Sequence, residues 1–219
     1  MFLGHFALAL AAKKAAPKAS LGTLVLSAQF ADCLWPVLLL LGIEQVRIVP
    51  GLMRASPFDF VSYPISHSLL MQLVWGLLFG VLYLLSRRDL RTALIVGALL
   101  PTHWLLDYFA HRPDMPLYPG GGPKVGLGMW DSLPLTLLVE YGMLVAGVAI
   151  YLTSTRSKGG RNYAFWSLII FLAVVYAASE FGPPPPNVRA LAISAIAIWL
   201  TIPWAAAADR RREPLPPRL

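Results

Sequence analysis

Six apolar runs of about twenty residues, separated by short polar breaks, leave this chain very few ways to fold. A helix of that length matches the hydrocarbon thickness of a bilayer, and in lipid the backbone must satisfy its own hydrogen bonds. The runs fall at roughly 20–43, 67–85, 92–111, 133–153, 163–181 and 188–207. Residues 44–66 and 112–132 form two longer Pro- and Gly-containing loops, and Pro183–Pro186 end the fifth run. Residues 1–16 make a further apolar helix, too short to span and ending near Pro17, which reads as re-entrant or half-inserted. Pro36 is expected to kink the first span. The expected fold is therefore all-α, a polytopic membrane helix bundle of about six transmembrane helices plus the short N-terminal helix. We expect one transmembrane domain over 1–219, closing with a short Pro-rich cytoplasmic tail over 209–219. Composition agrees, since 13% of residues are charged where a soluble domain carries roughly 25%.

The loops carry an orientation signal. Lys13, Lys14, Lys18, the 86–91 and 154–162 breaks and the C-terminal tail hold 13 of the 18 Lys and Arg residues. The positive-inside rule places that side, with both termini, in the cytoplasm and the two long loops outside. The segment Met1–Leu10 lacks the order of a signal peptide, because its basic residues follow the apolar part. No basic run interleaves with aromatics, so no nucleic-acid partner is expected, and the bilayer itself is the expected partner. The single cysteine, Cys33, excludes an intrachain disulfide and a Cys-based zinc cluster. Gly120–Lys124 lacks the spacing of a phosphate loop, and neither Gly-x-Ser-x-Gly nor His-Glu-x-x-His occurs.

Polar residues are concentrated in one place. His103, Asp107 and His111 recur every four residues at the end of the third run, which on a helix makes one stripe. Ionisable groups inside a membrane helix are costly and mark functional sites. With a rise of ~1.5 Å per residue, Asp32 and His103 come to similar heights past the bilayer middle. His67 opens the second span on the outer side, where Ser66 is the expected helix cap. Folding residues 1–16 back on the first span brings His5 level with Asp32. So His5, Asp32, His67, His103, Asp107 and His111 can converge as metal ligands in a pocket facing the extracytoplasmic side, with Asp107 and His111 as the catalytic pair. Glu140 and Glu180 read as interfacial residues near span ends. Imidazole and carboxylate suit a divalent metal, zinc first and manganese second, as one or two ions.

At Ser66–His67–Ser68, followed by His103-x-x-x-Asp107 and preceded by His5 and Asp32, the chain resembles the YdjM-like inner-membrane metal-dependent hydrolases. The resemblance covers about the first 130 residues, while the helices over 133–208 carry no motif. It implies a metal site built from those residues and hydrolysis through a metal-activated water. A substrate reached from within the membrane would be an ester or phosphoester of a lipid or lipid-linked molecule. The alternative is a small transporter or a proton or metal-ion pathway using the same cluster. A pathway should continue polar to the opposite face, whereas below His103 the third span offers only small and apolar residues, Thr92, Thr102 and Pro101.

Overall fold

The computed structural model describes residues 1–215. Its helices are α1 (Leu3–Ala15), α2 (Leu21–Leu40), α3 (Leu69–Arg87), α4 (Leu90–Ala110), α5 (Leu133–Ser154), α6 (Tyr163–Phe181), α7 (Val188–Ala195) and α8 (Thr201–Arg210). A 3₁₀ segment, Ile196–Leu200, joins α7 to α8, so Val188–Arg210 runs on as one interrupted span. With α2 to α6, this gives six segments long and apolar enough to cross a bilayer. The all-α membrane bundle expected from the apolar runs is what the chain forms.

The centre of the bundle is α1, the helix that does not span. It is apolar all round apart from His5 and its last two lysines, as expected of a helix buried on every side. It lies against α5, α2 and α4. Gly147 of α5 permits this, because a Cβ there would stand 2.6 Å from the Ala7 carbonyl oxygen. The first turn of α1 has no side-chain cap of its own. Glu140 of α5 caps it from outside, accepting from the Phe2 and Gly4 amides at 2.9 and 2.8 Å. A carboxylate at a helix amino end answers both the unpaired amides and the positive end of the helix dipole. Glu140 is fully buried, so its expected place at the interface is corrected: it holds α1 in position. At the other end, Lys13 reaches Asp209 of α8 at 2.6 Å and the Ala19 carbonyl at 2.7 Å. Tyr151 donates to the second Asp209 oxygen at 2.8 Å.

Around this centre, α2 is the most buried span and α3 the least. Helix α3 packs on α4 through Gly76 and Gly97, whose carbonyls leave no room for a side chain on the facing glycine. The two ends of the bundle differ. One carries the Lys18–Asp89 pair and a short ladder between β5 (Thr155–Ser157) and β6 (Arg212–Pro214). The start of the expected free tail is thus the end of α8 and then a strand, while 216–219 lie outside the described residues. The opposite end carries a hairpin of β1 (Gln45–Ile48) and β2 (Phe58–Ser62), and a second of β3 (Met115–Pro116) and β4 (Lys124–Val125). Residues 44–66 and 112–132 therefore hold ordered strands, not only loop. The second span also begins later than expected. Ser68, not Ser66, caps α3 by accepting from the Met71 amide.

Candidate metal centre

Asp107 stands at the focus of the site. It projects from α4 between α1 and α2, and its side chain is 2% exposed. Oδ1 lies 3.1 Å from His5 Nε2 and accepts from the Met1 amine. Oδ2 lies 3.1 Å from His103 Nε2 and 3.8 Å from His67 Nε2. Asp32 of α2 closes the arrangement, with Oδ1 at 3.4 Å from His67 Nε2 and 3.9 Å from His103 Nε2. Two overlapping donor groups result, His5–His103–Asp107 and Asp32–His67–His103, with the donor atoms of each within 4.8 Å of one another. Ligands ~2.1 Å from a tetrahedral ion stand ~3.4 Å apart, so these separations are those of atoms able to share a metal.

The hydrogen bonds behind the imidazoles fix which nitrogen faces the centre. His103 Nδ1 donates to the Ala28 carbonyl at 2.7 Å, because a carbonyl can only accept. Its Nε2 has no hydrogen-bond partner, although it is buried beside two carboxylates. His67 is oriented by a longer chain. Glu44 accepts from Ser66 Oγ at 2.5 Å, so that hydroxyl is left to accept from His67 Nδ1 at 2.7 Å. Glu44 also accepts from the Ile65 and Ser66 amides, both at 2.8 Å. Both imidazoles thus turn a bare Nε2 lone pair toward carboxylate oxygens, and two acceptors face each other stably only with positive charge between them. A proton would answer one such pair; a divalent cation answers the His103, His67, Asp32 and Asp107 contacts together. His5 stacks on His103, ring centroids 3.6 Å apart and 8° from parallel, and completes the first group. The residues present fit a metal on this ground.

His111 departs from the stripe. Helix α4 ends at Ala110, and His111 is the following residue in extended conformation, φ −71° and ψ 150°. It belongs to neither donor group. Its Nδ1 donates to Asp114 at 2.9 Å, and Tyr63 donates to the same oxygen at 3.1 Å. Burial holds His111 below the ordinary imidazole range against the opposing pull of Asp114, so the ring is neutral near pH 7. The Trp130 ring lies over it, centroids 4.3 Å apart. His111 still shares a cavity of about 240 Å³ with Asp32, His67 and Asp107.

The structure brings five of the six residues expected from the sequence, His5, Asp32, His67, His103 and Asp107, into the two donor groups; the residues that orient them were not expected. Glu44 and Asp114 are buried carboxylates, Glu44 acting on His67 through Ser66 and Asp114 bonding His111 directly, and neither was expected to take part. Asp114 lies three positions from His111 and was within reach of inspection. Glu44 lies 22 positions from Ser66, and no local spacing points to it.

A family model described as YdjM inner membrane protein matches residues 1–183. No curated protein and no solved structure matches the chain. The match extends beyond the motif-bearing part, through α6, and the chain belongs to the YdjM inner membrane protein family.

Proposed function

From this membership we propose that the protein is an integral membrane metal-dependent hydrolase acting on an ester or phosphoester of a lipid or lipid-linked substrate. The observation that carries the reading is the pair of bare Nε2 atoms, on His67 and His103, aimed at Asp32 and Asp107. His5, Asp32, His67, His103 and Asp107 are the ligands, divided between the two groups that share His103. Zinc suits this donor set best and manganese next, as one ion or two. When bound, the metal supplies the Lewis acidity that activates a water and polarises the scissile bond.

The residues do the rest. Asp107 places one oxygen at His5 and the other at His103, which sets the two imidazoles of the first donor group at a fixed separation. Glu44 and Ser66 hold the His67 tautomer, and the Ala28 carbonyl holds that of His103. His111 is the acid–base residue. Asp114 holds the proton on Nδ1, leaving Nε2 to take or give a proton in the cavity. The floor beneath the cluster is mostly apolar, with Val25, Ala28, Val96 and Leu99 in the main core and Ser27 and Gln29 the polar side chains buried on α2. That favours a closed site over a through-going proton or ion pathway.

Metal analysis of protein purified without chelators tests the proposal. Wild-type protein should carry close to stoichiometric zinc or manganese. Asp107→Ala and His103→Ala should lose it, whereas His111→Gln should retain it. Metal-free wild-type protein overturns the reading.

A further inference from the structure

The cavity at the metal centre has a second arm. Beyond the polar residues its wall is Phe171 and Leu172 of α6, together with Ser194, Ala195, Ala197 and Ile198 of the interrupted sixth span. Leu172 is buried, whereas Phe171, Ser194 and Ala197 are exposed on the outer surface of the bundle and line the cavity as well. Residues that do both mark a mouth. Phe171 lies near the middle of α6, ~12 Å from its start at Tyr163 with a rise of ~1.5 Å per residue. Ile198 is likewise central in Val188–Arg210. The mouth therefore opens at mid-depth of the spans, where the surroundings are hydrocarbon and a polar headgroup would be costly. Small side chains at 194, 195 and 197, and the 3₁₀ interruption between α7 and α8, leave the gap that a regular helix with large residues would close.

We propose that this arm is the subsite for one hydrocarbon chain of a lipid substrate, entering sideways between α6 and the sixth span. The chain lies along Phe171, Leu172, Ala195, Ala197 and Ile198, and the bond to be cleaved lies at Asp32, His67 and Asp107. The two spans without motif residues thus set substrate class, through the depth and width of the arm. The proposal rests on the metal-hydrolase reading for what is cleaved, but not for what binds.

A photoactivatable phosphatidic acid, with a diazirine in the first half of one acyl chain counted from its carboxyl end and incorporated into phosphatidylcholine vesicles holding the full chain, tests it. After irradiation, mass spectrometry should find label on buried cavity residues, Leu172 and Trp35, besides the lipid-facing Val174 and Leu200. Ala197→Trp, which places bulk at the mouth on an exposed position, should abolish label at Leu172 and Trp35 and leave it at Val174 and Leu200. Ala195→Phe is the second plug, and unchanged label at Val174 and Leu200 reports an intact bundle for either variant. Absence of label at Leu172 and Trp35 in the wild type overturns the proposal, as does label that survives both plugs. Metal content of the same preparation separates the two readings: stoichiometric metal without internal label removes only the chain subsite, and internal label without metal removes only the hydrolase.

Discussion

At the residue scale, the centre depends on two kinds of carboxylate. Asp32 and Asp107 face the donors, while Glu44 and Asp114 stand behind imidazoles and decide which nitrogen is free. The second kind should matter almost as much. Removing an outer hydrogen-bond partner typically costs a metal site ~10–100-fold in affinity. Glu44→Gln and Ser66→Ala should each weaken binding by about that factor, read by competition against a chromophoric chelator, with helical circular dichroism unchanged. Equal affinity in wild type and Ser66→Ala would show that His67 needs no such orientation. The candidate donor set was legible because His103 and Asp107 lie one helical turn apart, and an ionisable pair in an apolar run is conspicuous. His111 looked like the third member of the row, but the helix ends one residue before it. The outer carboxylates were not legible, since the Glu44 contacts span 21 and 22 positions and arise only when the β1–β2 end folds down.

At the element scale, α1 decides whether the first donor group exists, because it brings His5 to Asp107. Two contacts hold it: Glu140 on its amino end and the Lys13–Asp209 pair near its other end. In Glu140→Leu the Phe2 and Gly4 amides lose their acceptor, at ~1–3 kcal/mol for each buried donor left unpaired. Glu140→Gln keeps one carboxamide oxygen and should lose less. Thermal unfolding in detergent should rank wild type above Glu140→Gln above Glu140→Leu, and a Leu variant as stable as wild type would discard the cap. The spans themselves were readable from hydropathy alone, with boundaries within a few residues. What hydropathy does not carry is which spans touch. The strands were signalled, by polar–apolar alternation in Gln45–Ile48 and Phe58–Phe60, but Pro50, Gly51 and Pro57 between them pointed to loop.

For the whole molecule, the remaining question is which way the bundle stands in the membrane. Lys18, Asp89, β5 and β6 mark one end, and the segments gathered there carry most of the basic residues. The opposite end carries both hairpins and only Arg47, Arg54, Arg112, Lys124 and Arg189, of which Arg47 and Arg112 are paired to Asp59. On the positive-inside rule the hairpin end faces away from the cytoplasm. Phe58, Phe60 and Trp130 of that end line the cavity, so the polar arm of the site would then receive water from outside while the apolar arm receives a chain from the bilayer. Cys33 is buried and is the chain's single cysteine, which makes the orientation measurable. In a Cys33→Ala background, Pro119→Cys at the hairpin end and Lys158→Cys at the basic end both occupy exposed positions. A membrane-impermeant maleimide added to intact cells should label Pro119→Cys at once, and Lys158→Cys only after permeabilisation. The reverse pattern would turn the bundle over and give the site a cytoplasmic water supply. The donor groups would be untouched, but the products of the proposed hydrolysis would then leave on the other side of the membrane.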